Sequence, residues 1–328
     1  MLSRRQVFSA SAASLLTAGG FAPHARAATL DKVVHVIVGF PAGGGTDIVA
    51  RVLAQALQGN YASSIVVEDR PGASARLAVE YVKNAPADGS VMLFTPDFPM
   101  TLYPSSFKAL KYEPLTDFIA VGPAATGVLV LVVGPGVPAD VKTLTDFVAW
   151  AKANPGKANV ADTSAGATPH FTTVMLGQEA KVTLTPVHYR GGAPAMEDLI
   201  GGHVPASVNP VSEVMAFATA GKVRALAVTG EKRTPFLPDV PTMKEQGFNV
   251  VVESLSGVFV PAKTPAPIVA ALNAAMRKAA ASKQMIDSLA KFGTEPASMT
   301  TAEFTAWIKA AIGRWGPVVK ASGFKALD

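Results

Sequence analysis

Three short loops carry the residues best suited to chemistry, and each joins a strand-like run to a helix-like one. The first is Pro41-Ala42-Gly43-Gly44-Gly45-Thr46-Asp47. Consecutive glycines let a backbone come close to a ligand, and the N–H groups that open the next helix would face an anion. A tight turn capped by Thr46 is the plainer use of these residues, although one glycine would serve that purpose. Asp47 reads as a capping or scaffolding residue rather than a ligand contact. The loop has neither the Gly-x-x-x-x-Gly-Lys-Ser/Thr pattern of a phosphate cradle nor the Gly-x-Gly-x-x-Gly spacing of a dinucleotide site.

The second loop, Arg70-Pro71-Gly72-Ala73-Ser74-Ala75-Arg76, puts an arginine where it could pair with a carboxylate, or simply lie on the surface. The third, Ser164-Ala165-Gly166-Ala167-Thr168-Pro169-His170, offers hydroxyls and N–H groups to a second anionic group. His170 sits at a helix start, where the helix dipole disfavours its charged form. It is expected first as a neutral hydrogen-bonding scaffold and second as a ligand contact. Asp162-Thr163-Ser164-Ala165-Gly166 resembles a serine nucleophile elbow with Asp in place of the first Gly. A hydrolase would therefore use Ser164 with His170 or His188. No His-Glu-x-x-His appears, and histidines 35, 170, 188 and 203 are scattered, so no metal site is expected. Cysteine is absent, which removes disulfides and thiol catalysis.

These loops need a scaffold of alternating strands and helices. Val33 to Phe40, Ser64 to Val67 and Val91 to Thr95 predict strands. Ala75 to Val82, and the helical spacing of Ile48, Val49, Val52, Leu53, Ala56 and Leu57, predict the helices between them. A second α/β unit starts near Val128, with strands at Asn159–Asp162, Val182–His188 and Val223–Thr229. Its helices are expected at Leu144–Ala153, Pro169–Gln178 and Pro194–Ile200. Two short strands, Val250–Val252 and Val258–Val260, then precede helices at Pro267–Ser282, Lys283–Phe292 and Thr301–Ala321.

Of 328 residues, 49% are apolar and 16% charged, the composition of a folded chain with a sizeable core. Residues 1–27 read as an export signal: Arg4-Arg5 precedes a mildly apolar stretch from Val7 to Ala22, and Ala25-Arg26-Ala27 supplies small residues for cleavage. The paired arginines suit twin-arginine export. Removing Arg4, Arg5 and Arg26 from the 29 basic residues leaves 26 against 24 acidic ones, a net +2. No basic stripe for nucleic acid remains, while a weak positive field still favours small anions.

Phe40-Pro41-Ala42-Gly43-Gly44-Gly45-Thr46-Asp47, Asp69-Arg70-Pro71-Gly72-Ala73, Ala87-Asp88-Gly89, Tyr189-Arg190-Gly191-Gly192-Ala193-Pro194-Ala195, Gly221 to Thr229 and Leu237-Pro238-Asp239-Val240-Pro241-Thr242 follow one another in an order and spacing. Together with Ser164 to His170 they resemble the extracytoplasmic receptors of tripartite tricarboxylate transporters, the Bug proteins, from about Val33 to the C-terminus. The resemblance implies an α/β fold, a two-lobed periplasmic flytrap of type II with a mixed sheet and flanking helices in each lobe. Residues 28–125 and 249–328 would form lobe 1, and residues 126–248 lobe 2. It further implies a periplasmic monomer without cofactor or catalysis that delivers a small organic acid to membrane subunits; sensing for a receptor kinase is the alternative.

By the resemblance, Gly43, Gly44, Gly45, Ser164, Gly166, Ala167 and Thr168 bind the acid, and His170 matches the histidine that ends the family's loop. Thr46, Ala73, Ser74, Asp97 and Asn209 complete the candidate site. The second loop departs from the family's usual Gly-Ala-Gly-Gly, being bulkier and more basic. Phe98 hints at a ring-bearing or apolar ligand and Asp97 at an amine, unless both are ordinary loop residues. Replacing Arg4 and Arg5 together by lysine should block export; undiminished periplasmic protein in that variant would reject the twin-arginine route.

Overall fold

The computed structural model describes residues 30–328, so the expected export segment lies outside the described residues. Strand β1 (Leu30–Val38) alternates its buried side chains between two helices. Val34, Val36 and Val38 pack with Val49 and Leu53 of α1 (Gly45–Leu57). Ile37, on the other face, packs with Ala78, Val79 and Val82 of α2 (Arg76–Lys83). Strands β2 (Ala62–Asp69) and β3 (Val91–Pro96) flank β1 in parallel. Where a loop was expected after β3 there are two single-turn helices, α3 (Phe98–Thr101) and α4 (Tyr103–Ser106), each with proline in its opening positions.

Strand β4 (Phe118–Val133) begins well before Val128, where the second unit was expected to start, because its first part, Phe118 to Thr126, is broken by Gly122 and Pro123 and lacks continuous apolar character. It leads to α5 (Leu144–Ala153), β5 (Asn159–Asp162), α6 (Thr168–Ala180), β6 (Thr185–His188), α7 (Gly192–Ile200), β7 (Ala206–Pro210), α8 (Val211–Thr219) and β8 (Arg224–Val228). The chain returns through β9 (Glu253–Pro261), one strand where two short ones were expected. It closes with α9 (Ala266–Ala280), α10 (Lys283–Ala290), the two-residue β10 (Glu295–Pro296) and α11 (Thr301–Ala321).

The strand order is β2-β1-β3-β9-β4-β7-β5-β6, with β8 and β10 also on β4. Up to Val128, β4 pairs with β9; from Leu129 it pairs with β7, and from Val130 with β8. All these β4 pairings are antiparallel, while β5 is parallel to β6 and β7, so each half of the sheet is mixed. The division expected at residues 125 and 126 thus falls inside one continuous strand. Helix α11 also spans both halves: Phe304 and Ile308 join the core with β3 and β9, while Ala311, Trp315 and Val319 join the core of α5 and α6.

Where β4 changes partners, Thr229 ties the two crossing segments together. Its N–H donates to Leu129 O at 2.9 Å, and its carbonyl accepts from Val252 N–H at 2.8 Å. Its hydroxyl accepts from Leu129 N–H at 3.0 Å and donates to Val252 O. Thr229 is fully buried, so Thr229→Val keeps the shape and strands two backbone groups away from water. We expect urea unfolding of this variant to show a loss of about 1–3 kcal/mol; an unchanged midpoint would mean the crossing is held by its backbone pairs alone.

Candidate functional site

A cavity of about 270 Å³ lies between the two halves of the sheet, at the place where β4 changes partners. The opening turns of four helices line it: Gly45 and Thr46 of α1, Thr168 and Pro169 of α6, Gly192 to Pro194 of α7, and Val211 to Glu213 of α8. None of these four helices has a side-chain cap on its N-terminus, whereas α5, α10 and α11 are capped by Thr143, Ser282 and Thr300. Uncapped N–H groups carry partial positive charge, and four such ends set up a field that favours an anion. The rest of the wall is largely apolar, with Phe40, Val49, Phe98, Val128 and Leu129 among its residues. Phe98 packs edge-on against Phe40, ring centroids 5.9 Å apart, so it serves both core and wall.

The glycine loop reaches the cavity with fewer free donors than its sequence suggests. Gly43 N–H donates to Asp47 Oδ2 at 2.8 Å and Gly44 N–H to Pro41 O at 3.3 Å. Gly43, at φ 79°, occupies the left-handed region that glycine tolerates. The first bond of the α1 ladder is Ile48 N–H to Gly44 O, so the N–H groups of Gly45 and Thr46 precede it. Thr46 provides no cap; Asp47, buried and bridged to Arg51, stabilises the loop from behind.

Of the third loop, Thr168 alone among the candidates lies on the wall, and its buried Oγ1 has no partner. Ser164, Gly166, Ala167 and His170 stand behind it. His170 Nδ1 accepts from Gly166 N–H at 3.0 Å, which requires that nitrogen to be unprotonated. Burial, with His188 nearby, pushes the His170 pKa down to about 4, so the ring is neutral. Asp162, whose carboxyl is raised by burial against the opposing pull of His188, accepts from Ser164 N–H and bonds His188 Nδ1 at 2.8 Å. Ser164 Oγ meets Ser74 Oγ at 3.0 Å and bonds neither histidine, so the Ser164–histidine pair of a hydrolase is not assembled.

The remaining candidates lie away from the wall. Ala73, Ser74 and Ala75 hold φ values of 46°, 55° and 71°, a left-handed run adopted without glycine. Tyr103 Oη, donating to Ser74 O, and Arg76 Nε, donating to Ala73 O, brace this run. The Arg76 guanidinium lies 4.1 Å from the Phe107 ring centroid, so the residue is occupied in structure. Asp97 is buried and accepts from Ser254 and Thr101 hydroxyls. Burial pushes its pKa up to about 6, and these hydroxyls pull the other way. Asn209 is fully buried, its amide donating to Ser207 Oγ at 2.7 Å.

Sequence reasoning left out Arg190 and Glu213, the charged residues on the wall. Arg190-Gly191-Gly192 has the same strand-to-helix character as the first loop, and that likeness could have placed Arg190. Glu213 gave no such signal, because Ala206 to Thr219 was assigned no element. Among the described residues there is no metal-holding cluster, and no helix is long and apolar enough to cross a membrane.

A family model described as tripartite tricarboxylate transporter family receptor matches residues 49–324. Protein BugT of Bordetella pertussis is 31% identical over 95% of this chain and 95% of its own length. A solved R. palustris protein with adipate superposes with a TM-score of 0.84 at 30% identity, covering 88% of this chain and 97% of that one. MatC from Rhodopseudomonas palustris with bound malate gives 0.80 at 28%, covering 88% and 98%. The periplasmic binding protein BugD gives 0.82 at 30%, covering 89% and 98%, so the fold is that of periplasmic binding proteins. Matched over most of its length by the family model and by relatives of its own size, the chain belongs to the tripartite tricarboxylate transporter receptor family.

Proposed function

We propose that this chain is an exported, periplasmic receptor that captures a small organic acid in the cavity between its two lobes and presents it to transporter membrane subunits, without chemical change to the acid. The observation that carries this reading is the meeting of four uncapped helix N-termini at one largely apolar cavity. Carboxylates gain from those N–H groups and from Arg190, while the hydrocarbon of the acid packs against Phe40, Phe98 and Leu129. The unpartnered Thr168 hydroxyl gives the acid a further hydrogen bond from the second half of the sheet. Adipate and malate, bound in relatives of this size, fit the same chemical class.

Calorimetric titration with a panel of carboxylic acids that includes adipate and malate tests the reading. Recognition by backbone approach predicts that a side chain in the first loop costs more than a lost hydroxyl. A Cβ at Gly45 would stand 3.1 Å from Ser212 Oγ, so Gly45→Val should abolish binding. Thr168→Ala should weaken it about threefold to tenfold, the worth of one hydrogen bond. Thermal melts first establish that both variants fold. If Arg76→Ala abolishes binding while Gly45→Val is tolerated, the site belongs at the second loop instead.

A further inference from the structure

Glu213 is out of place in a cavity built for anions. It is the acidic residue on the wall, it opens α8, and its side chain reaches between the first residues of two other helices. On one side a Cβ at Gly45, the start of α1, would stand 3.6 Å from Oε1. On the other side a Cβ at Gly192, the start of α7, would collide with Oε2. Glycine at 192 is what leaves room for the carboxyl, while the contact at Gly45 is an ordinary one. Oε2 is shielded from solvent and has no hydrogen-bond partner. The backbone N–H of Gly45, at the start of α1, favours the charged form of the carboxyl.

We propose that Glu213 sets the specificity of this cavity: its own carboxyl holds the seat between α1 and α7 that an incoming carboxylate takes, and the acid binds by displacing it. The proposal rests on the receptor reading above and names the residue that tunes it. A resident carboxylate lies against the positive end of α1 while the site is empty and repels a second carboxylate when ionised. Burial pushes the Glu213 pKa up to about 7, with Gly45 N–H opposing. The folded-state pKa is raised, so the repulsion is full above that value and fades as pH falls through it. Few other charges face this carboxyl. Arg190 shares the wall; Asp47, behind the first turn of α1, is already bridged to Arg51; α7 and α8 bring no other charge to the wall.

Two measurements on the whole protein test this. The first is the Gly45 amide resonance followed through a pH titration of the ligand-free protein. It should shift with a midpoint near 7 in the wild type and stay flat in Glu213→Gln. The second is calorimetry with adipate and malate as probes. At about pH 8, Glu213→Ala and Glu213→Gln should each bind about tenfold more tightly than the wild type, and the gap should close towards pH 6. The glutamine variant keeps the side-chain shape should the alanine variant fail to fold. A flat Gly45 titration in the wild type overturns the proposal, and so does binding by the variants that is no tighter. If Gly45 titrates but neither these acids nor the wider panel binds any of the proteins, the receptor reading falls and the occupied seat stands.

Discussion

Strand β4 is the constraint on which the molecule depends. It belongs to both halves of the sheet, and between Val128 and Leu129 it exchanges β9 for β7. Every element that shapes the cavity is placed relative to that exchange. A strand with two sets of partners must keep its ladder complete across the change, since an unpaired buried backbone group costs about 1–3 kcal/mol. Thr229 meets that need with both its backbone and its hydroxyl. Because β1, β5 and β6 end near the exchange, the helices that follow them begin around one space. The meeting of helix N-termini is therefore a result of topology, as in open α/β sheets generally.

A cavity made this way holds positive potential without lysines. Its backbone N–H groups cannot move or be deprotonated, so they favour carboxylates of varied shape, and the apolar wall sorts them by the body they carry. The contacts behind the wall keep it rigid. His170 stays neutral to accept Gly166 N–H, Asp162 fixes Ser164 N–H, and Asp97 accepts two hydroxyls from neighbouring elements. These residues shape the site from a second layer, which explains why polar residues flanking the loops look like ligand contacts in the sequence.

Much of the scaffold was legible. Periodic runs such as Ile48 to Leu57 and Leu144 to Ala153 gave helices within three residues of those observed. The strand–glycine–helix order placed the first loop on the cavity wall. What stayed hidden depended on partners distant in sequence. The first part of β4 is strand because β9 pairs with it, and Ala206–Pro210 is strand because it lies between β4 and β5. With β7 unread, α8 was unread too, and so was Glu213. The candidate site was legible at the level of loops; which side chain of a loop faces inward depends on how that loop is buttressed. Ser164 turns to Ser74, and Thr168, four residues on, turns to the cavity.

The central claim is that the protein carries an intact small acid. It is tested most directly by mass spectrometry of whatever small molecule is released from protein purified without denaturation and then unfolded. The account predicts a compound with at least one carboxylate, chemically unaltered, that rebinds the emptied protein. A released sugar, nucleotide or amine without a carboxyl group, rebinding in the same way, would contradict it.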